Sequence, residues 1–160
     1  MIRVLVLFSL LATLVSGDVF TKGKTNLNFL VGSGDTYNRS YGIVGVGAEY
    51  CVVDNLAVGV NYRAWLGAEP TFNELSLRTD YYISLDRKLR PYLGAFVKET
   101  FINSSVYDDF TSYGFRGGLS VITSKNTYIS FGYTVEYYDT CEPSEQCYRK
   151  YPELTVGLSF

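Results

Sequence analysis

The 160-residue chain contains no histidine, one methionine, one tryptophan, four prolines and three cysteines. Without histidine it lacks the side chain that most often carries general acid–base catalysis near neutral pH, and the commonest nitrogen ligand for a metal. Three cysteines do not complete a zinc site, and Cys51 stands far from Cys141 and Cys147. No metal or other cofactor is therefore expected. Basic charge is not in excess either: 14 Lys and Arg meet 16 Asp and Glu, a net charge of −2. Phosphate binding needs a clustered surplus of Lys and Arg, so no nucleic-acid partner is expected. Also missing are a second domain, a low-complexity tract and, beyond the N-terminus, any helical 3.6-residue periodicity.

What is present begins with a leader. Met1-Ile2-Arg3 supplies one positive charge, Val4 to Val15 is apolar except for Ser9 and Thr13, and Val15-Ser16-Gly17 offers small residues before Asp18. This order predicts a signal peptide over 1–17, cleaved before Asp18. The apolar run is short of the roughly 20 residues of a membrane-spanning helix, which disfavours a retained anchor. No cysteine follows the cleavage point, so a lipoprotein is unsupported. Only Arg3 is lost with the leader, and the remaining domain, 18–160, carries −3.

Period two governs that domain. Eight runs rich in Tyr, Val, Phe, Thr and Gly occupy about 25–31, 41–50, 56–65, 74–83, 91–101, 112–122, 127–137 and 151–160. They exceed the five or six residues of an ordinary strand and approach the nine to eleven or so that cross a bilayer at a tilt. The segments between them alternate in length. Positions 53–55, 86–88 and 124–126 read as tight turns, and 32–40, 66–73, 102–111 and 138–150 as long loops. Short turns at one end and long loops at the other are the rhythm of a transmembrane barrel. The expectation is an all-β fold: an eight-stranded antiparallel up-and-down transmembrane β-barrel.

Each strand has an apolar face and a small or polar one. Val58, Val60 and Tyr62 oppose Gly59, Asn61 and Arg63, while Ile129, Phe131, Tyr133 and Val135 oppose Ser130, Gly132, Thr134 and Glu136. In a secreted sandwich or lipocalin-like barrel the apolar faces would be internal; in a membrane they meet lipid. An eight-stranded barrel has room inside only for side chains, and the aromatic bulk of Phe115, Phe131, Tyr62 and Tyr81 would crowd it. The polar face is thus assigned to the lumen. It carries Glu49, Glu74, Asp80, Glu136 and Glu153 against Arg63, Arg78, Lys98 and Arg116. Buried charges persist when paired, so these nine are expected to form an ion-pair network. A paired-carboxylate catalytic site from Glu74, Asp80 and Glu136 is the alternative. Tyr62, Trp65, Tyr81, Tyr82, Tyr92, Tyr113, Tyr133, Tyr137 and Tyr138 are expected as interfacial girdle residues. Cys141 and Cys147 flank a polar pentapeptide, and in an exported protein that spacing favours a disulfide within the loop.

The chain closes on an alternating strand in which Leu154, Val156, Leu158 and Phe160 share one face. A terminal Phe after such alternation resembles the assembly signal of bacterial outer-membrane proteins. With the leader and the hairpin rhythm, residues 18–160 resemble the small eight-stranded outer-membrane barrels, the family that includes OmpX, Ail and neisserial surface protein A, akin to the OmpA-type transmembrane barrel. The resemblance implies outer-membrane lipid, lipopolysaccharide and the barrel assembly machinery as partners, and roles in adhesion, envelope integrity or surface interaction with an extracellular or host ligand. Enzymes on similar barrels look to a histidine, which this sequence lacks, so a non-enzyme is expected. Two alternatives stay open: an OmpW-like narrow pore or transport barrel for small or apolar molecules, and a soluble ligand-binding barrel.

Overall fold

The computed structural model describes residues 18–36, 38–104, 108–139 and 147–160. Eight strands follow one another: β1 (Thr25–Thr36), β2 (Arg39–Val53), β3 (Leu56–Leu66), β4 (Thr71–Tyr82), β5 (Leu89–Asn103), β6 (Phe110–Ser124), β7 (Thr127–Tyr138) and β8 (Tyr148–Ser159). Each pairs antiparallel with the next, and β8 returns to β1, closing the barrel. Register shifts between Cys51 and Val53 and between Ile122 and Ser124 lie just before two of the tightest connections. There an unpaired residue sharpens the twist into the turn. In the first of those turns Asn55 has a φ of 66°, a left-handed conformation that Asn tolerates better than most residues.

The loop lengths correct the sequence reading. At the end that holds both chain termini the connections are 54–55, 83–88 and 125–126; at the far end they are 37–38, 67–70, 104–109 and 139–147. The expected loop 32–40 is almost wholly strand, and β1 and β2 meet there in a two-residue connection. The difference has a physical reason. Hydrophobic alternation records only the apolar part of a strand's outer face, whereas backbone pairing needs no apolar face and continues beyond it. Above the apolar belt the outward pairs are polar: Ser40 Oγ donates to Asp35 Oδ1 at 2.5 Å, Tyr62 Oη to Asn73 Oδ1 at 2.8 Å and Thr111 Oγ1 to Glu99 Oε2 at 2.7 Å.

The sides of the wall follow parity. Leu77 is 64 % exposed and Phe131 59 %, with Val58, Val60, Leu75, Val97 and Phe115 exposed on the same outer surface. Asn61, Arg63, Glu74, Ser76 and Arg116 point inward and are buried. That is the inverse of a water-soluble barrel, whose core would collect the apolar set. Three of the expected girdle residues obey the same parity and lie inside: Trp65, Tyr82 and Tyr92 are buried in the lumen. Tyr138 is half-buried and packs edge-on against Phe110 at 5.2 Å. Tyr62, Tyr81, Tyr113, Tyr133 and Tyr137 face outward.

Candidate functional site: a filled lumen

Three layers fill the interior. At the terminal end Val19 and Phe20, from the segment before β1, sit against Cys51, Ala57, Tyr82, Tyr92 and Tyr128. Phe20 stacks on Tyr82 with centroids 3.6 Å apart and tilts against Tyr128 at 4.8 Å. Backbone bonds hold the segment in place: Asn55 N donates to Phe20 O at 2.7 Å, and Gly23 N to Cys51 O at 2.9 Å. Lys22 N donates to Asp54 Oδ1 at 2.8 Å, and Asp18 pairs with Arg90. The free thiol of Cys51 is buried behind this plug, where Asn26 Nδ2 donates to its Sγ at 3.8 Å.

At the far end Leu30, Tyr41, Ile43, Trp65, Phe72, Ile102 and Tyr151 form a second apolar layer, with Ala68 and Phe110 against it. Trp65 meets Tyr41, Phe72 and Tyr151 edge-on at 5.9, 6.4 and 5.4 Å.

Between the layers lie the charges, in two groups. In the first, Arg78 pairs with Glu49 and with Asp80 at 3.2 Å, and Arg116 pairs with Asp80 at 3.2 Å and with Glu153. Arg63 reaches Glu153 at 3.1 Å. Tyr82 donates to Glu49 at 3.3 Å, and Arg116 donates to the Tyr92 hydroxyl at 3.2 Å. In the second group Lys98 bridges Glu74 at 2.8 Å and Glu136 at 2.6 Å, while Arg149 pairs with both carboxylates, at 2.8 Å to Glu136. Ser112 Oγ donates to Glu136 at 2.7 Å. The Tyr151 hydroxyl links the groups, accepting from Arg63 at 2.9 Å and donating to Glu136 at 3.4 Å.

Glycines make two of these contacts possible. In the wall Gly59 stands between Glu49 on β2 and Arg78 on β4. A Cβ at Gly59 would lie 2.5 Å from Glu49 Cγ, so only its absence lets the pair close over β3. Gly94 does the same between Asp80 and Arg116, where a Cβ would strike the Asp80 carboxylate.

All nine lumen residues singled out from the sequence, Glu49, Arg63, Glu74, Arg78, Asp80, Lys98, Arg116, Glu136 and Glu153, therefore lie buried in ion pairs. One partner was missed. Arg149 was read as loop, but β8 begins at Tyr148 and turns Arg149 inward, its guanidinium 4.2 Å from the Trp65 ring centre. The signal was an imbalance: between the two apolar layers five acids against four bases leave one carboxylate over, and Arg149 makes that count five against five, apart from the buried Lys24 and the Arg90–Asp18 pair at the terminal end.

Of the remaining candidates, Val156 and Leu158 are exposed on the outer face, Leu154 and Phe160 half-exposed. Phe160 exchanges backbone hydrogen bonds with Thr25, 2.9 and 3.2 Å long, across the closing seam. The Cys141–Cys147 bridge falls on Cys141, which lies outside the described residues. Among the described residues no three His, Cys, Asp or Glu side chains gather as metal ligands.

No protein family and no curated protein matches the sequence. Solved structures do. The N-terminal β-barrel domain of OprF from Pseudomonas aeruginosa superposes with a TM-score of 0.66 at 18 % identity, over 87 % of this chain and 98 % of that one. Neisserial surface protein A gives 0.61 at 15 %, over 85 % and 94 %. The outer-membrane enzyme PagL gives 0.54 at 13 %, over 83 % and 98 %. At such identities it is the architecture that is shared. The chain has the closed eight-stranded antiparallel fold of the outer-membrane β-barrels.

Proposed function

We propose that this chain is an integral outer-membrane protein, exported with residues 1–17 as a cleaved signal peptide, whose barrel is an axially closed scaffold and not a channel. Its role is to hold surface-exposed connections at the far end, for adhesion, envelope integrity or contact with an extracellular ligand. The observation that carries this reading is the lumen. Five acids and five bases neutralise one another, and an apolar layer caps them at each end. A hydrated ion would have to displace one of the caps and then part the ion pairs. Catalysis has little support: the sequence has no histidine, and each lumen carboxylate is already engaged by cations.

The same reading makes outer-membrane lipid and lipopolysaccharide the partners of the outward apolar face. It makes the alternating face of Leu154, Val156, Leu158 and Phe160 the element recognised by the barrel assembly machinery. The connection 139–147, with its Cys141–Cys147 bridge, would be the principal contact surface.

Two measurements test the proposal. The chain should fractionate with the outer membrane, and in planar bilayers it should show no ohmic conductance above the lipid baseline. Recovery in the soluble phase would refute the membrane reading. Steady single-channel steps from an inserted sample would refute the closed lumen.

A further inference from the structure

The charge left over outside the lumen is sorted by end. The connections at the end that holds both termini, 18–24, 54–55, 83–88 and 125–126, contain five bases and three acids, whereas those at the far end, 37–38, 67–70, 104–109 and 139–147, contain six acids and no base. The three acids at the terminal end are already engaged. Asp18 pairs with Arg90, Asp54 Oδ1 accepts from Lys22 N at 2.8 Å, and Asp86 Oδ1 accepts from Arg87 N at 2.5 Å. Lys24 is buried. What this rim presents to its surroundings is therefore the cationic heads of Lys22, Arg87, Lys88 and Lys125, all on exposed residues and none in an ion pair among the described residues.

One connection adds apolar surface to this charge. Between β4 and β5 the chain takes six residues, 83–88, where the turns 54–55 and 125–126 take two. Tyr81 and Ile83 end the outward row of β4, and Leu89 and Leu93 begin that of β5, all of them exposed. Leu85, the next residue but one after Ile83, is 73 % exposed, more than any other large apolar side chain among the described residues. The connection is held in place. Ile83 N donates to Pro91 O at 2.7 Å, and Ser84 Oγ donates to Asn55 Oδ1 at 3.0 Å, which ties it to the neighbouring turn and, through Asn55 N and Phe20 O, to the segment 18–24. Leu85 thus continues the outward apolar surface past the strands, and Arg87 and Lys88 follow it directly. A segment of this composition suits a bilayer interface, where an apolar tip enters the acyl region and long basic side chains reach the phosphates. A water-soluble anion would engage the cations and leave Leu85 in water.

We propose that the connection 83–88 is a docking site for the anionic glycerophospholipids of the leaflet at the terminal end, with Leu85 among their acyl chains and Arg87 and Lys88 on the headgroup phosphate. This assignment rests on the membrane reading above and gives one end of the barrel a lipid class of its own. The far end, with no base in its connections, offers a phosphate nothing equivalent.

Native mass spectrometry can count the lipid. The protein, extracted from membranes into micelles of tetraethylene glycol monooctyl ether, is titrated with dioleoylphosphatidylglycerol or with dioleoylphosphatidylcholine, which share their chains and differ in headgroup charge. The first phosphatidylglycerol should bind about five-fold more tightly, the gain that one Lys or Arg confers at an anionic surface. Arg87→Gln, Lys88→Gln should erase that preference, and Leu85→Ser should weaken both lipids. Arg39→Gln, Lys150→Gln, at strand ends on the far side, should leave the preference intact. An excess of glycerophosphoglycerol, the headgroup without its chains, should displace nothing. The proposal is overturned by equal affinities for the two lipids in the wild-type chain, by a preference that survives Arg87→Gln, Lys88→Gln, by binding indifferent to Leu85→Ser, or by displacement with the free headgroup, which would make the rim a site for soluble anions. The wild-type comparison decides even where a variant folds poorly. Failure of the wild-type chain to float with phospholipid vesicles is a separate outcome that removes the membrane reading, and the docking site with it.

Discussion

Arg149 shows how much one side chain can carry in a neutralised interior. It contacts Glu74 and Glu136 and lies over Trp65. Without it Lys98 alone would face two carboxylates. Removing one partner of a buried ion pair costs about 3–5 kcal/mol, since the charge left behind has no water to return to. Arg149→Met should accordingly lower the unfolding free energy of the reconstituted barrel, read from its urea transition, by an amount of that order, with the midpoint moving down. Arg149→Met, Glu74→Gln should recover part of the loss, because the double change restores the charge balance. A midpoint unmoved by Arg149→Met would mean that solvent reaches the pair. This residue also marks the limit of reading sites from the sequence. The other nine lumen charges fall on the parity opposite an apolar stripe, which names their side of the wall. Around Arg149 the neighbours Tyr148, Lys150 and Tyr151 offer no apolar alternation to set a parity.

At the scale of elements, strand number, order and antiparallel pairing were legible, because period two is a local signal repeated eight times. Strand ends were not. Thr36 and Arg39 are paired although nothing apolar flags them, since the ladder there rests on backbone alone. The segment 18–24 was equally silent. No alternation marks Val19 and Phe20, and only the closed barrel, by bringing Ala57, Tyr82 and Tyr128 together, gives them a socket. Emptying a buried Phe site costs about 3–5 kcal/mol in a packed core, enough to release a short segment. Phe20→Ala should therefore expose Cys51: in folded, vesicle-embedded protein its alkylation by iodoacetamide should rise at least several-fold over wild type. The fold itself should persist, as seen in unchanged heat-modifiable migration on gels. Cys51 remaining as protected as before would show that the plug does not depend on this ring.

The whole molecule is turned inside out relative to a soluble barrel, and the two faces of its wall should respond differently to the same kind of change. Outward Val58 and Phe131 sit in the apolar belt, exposed on the surface assigned to lipid. A cation near mid-bilayer costs about 2–4 kcal/mol, so Val58→Arg and Phe131→Arg should each lower the unfolding free energy in vesicles by that order. Inward positions need sorting by what stands across from them. Ser130 shares a 2.6 Å hydroxyl contact with Ser120, and Ser130→Thr keeps that hydroxyl, so its effect should be small. Gly59→Val is different, because any Cβ there meets Glu49 and pushes it from Arg78. The expected order of stability is wild type, then Ser130→Thr close behind, with Val58→Arg, Phe131→Arg and Gly59→Val all well below. A detergent comparison separates the causes. In micelles, whose surface deforms around a charge, the two outward arginines should recover much of their loss, whereas Gly59→Val should recover none, because its clash is internal to the wall. Equal losses for all three in both environments would mean that the outward face does not meet lipid.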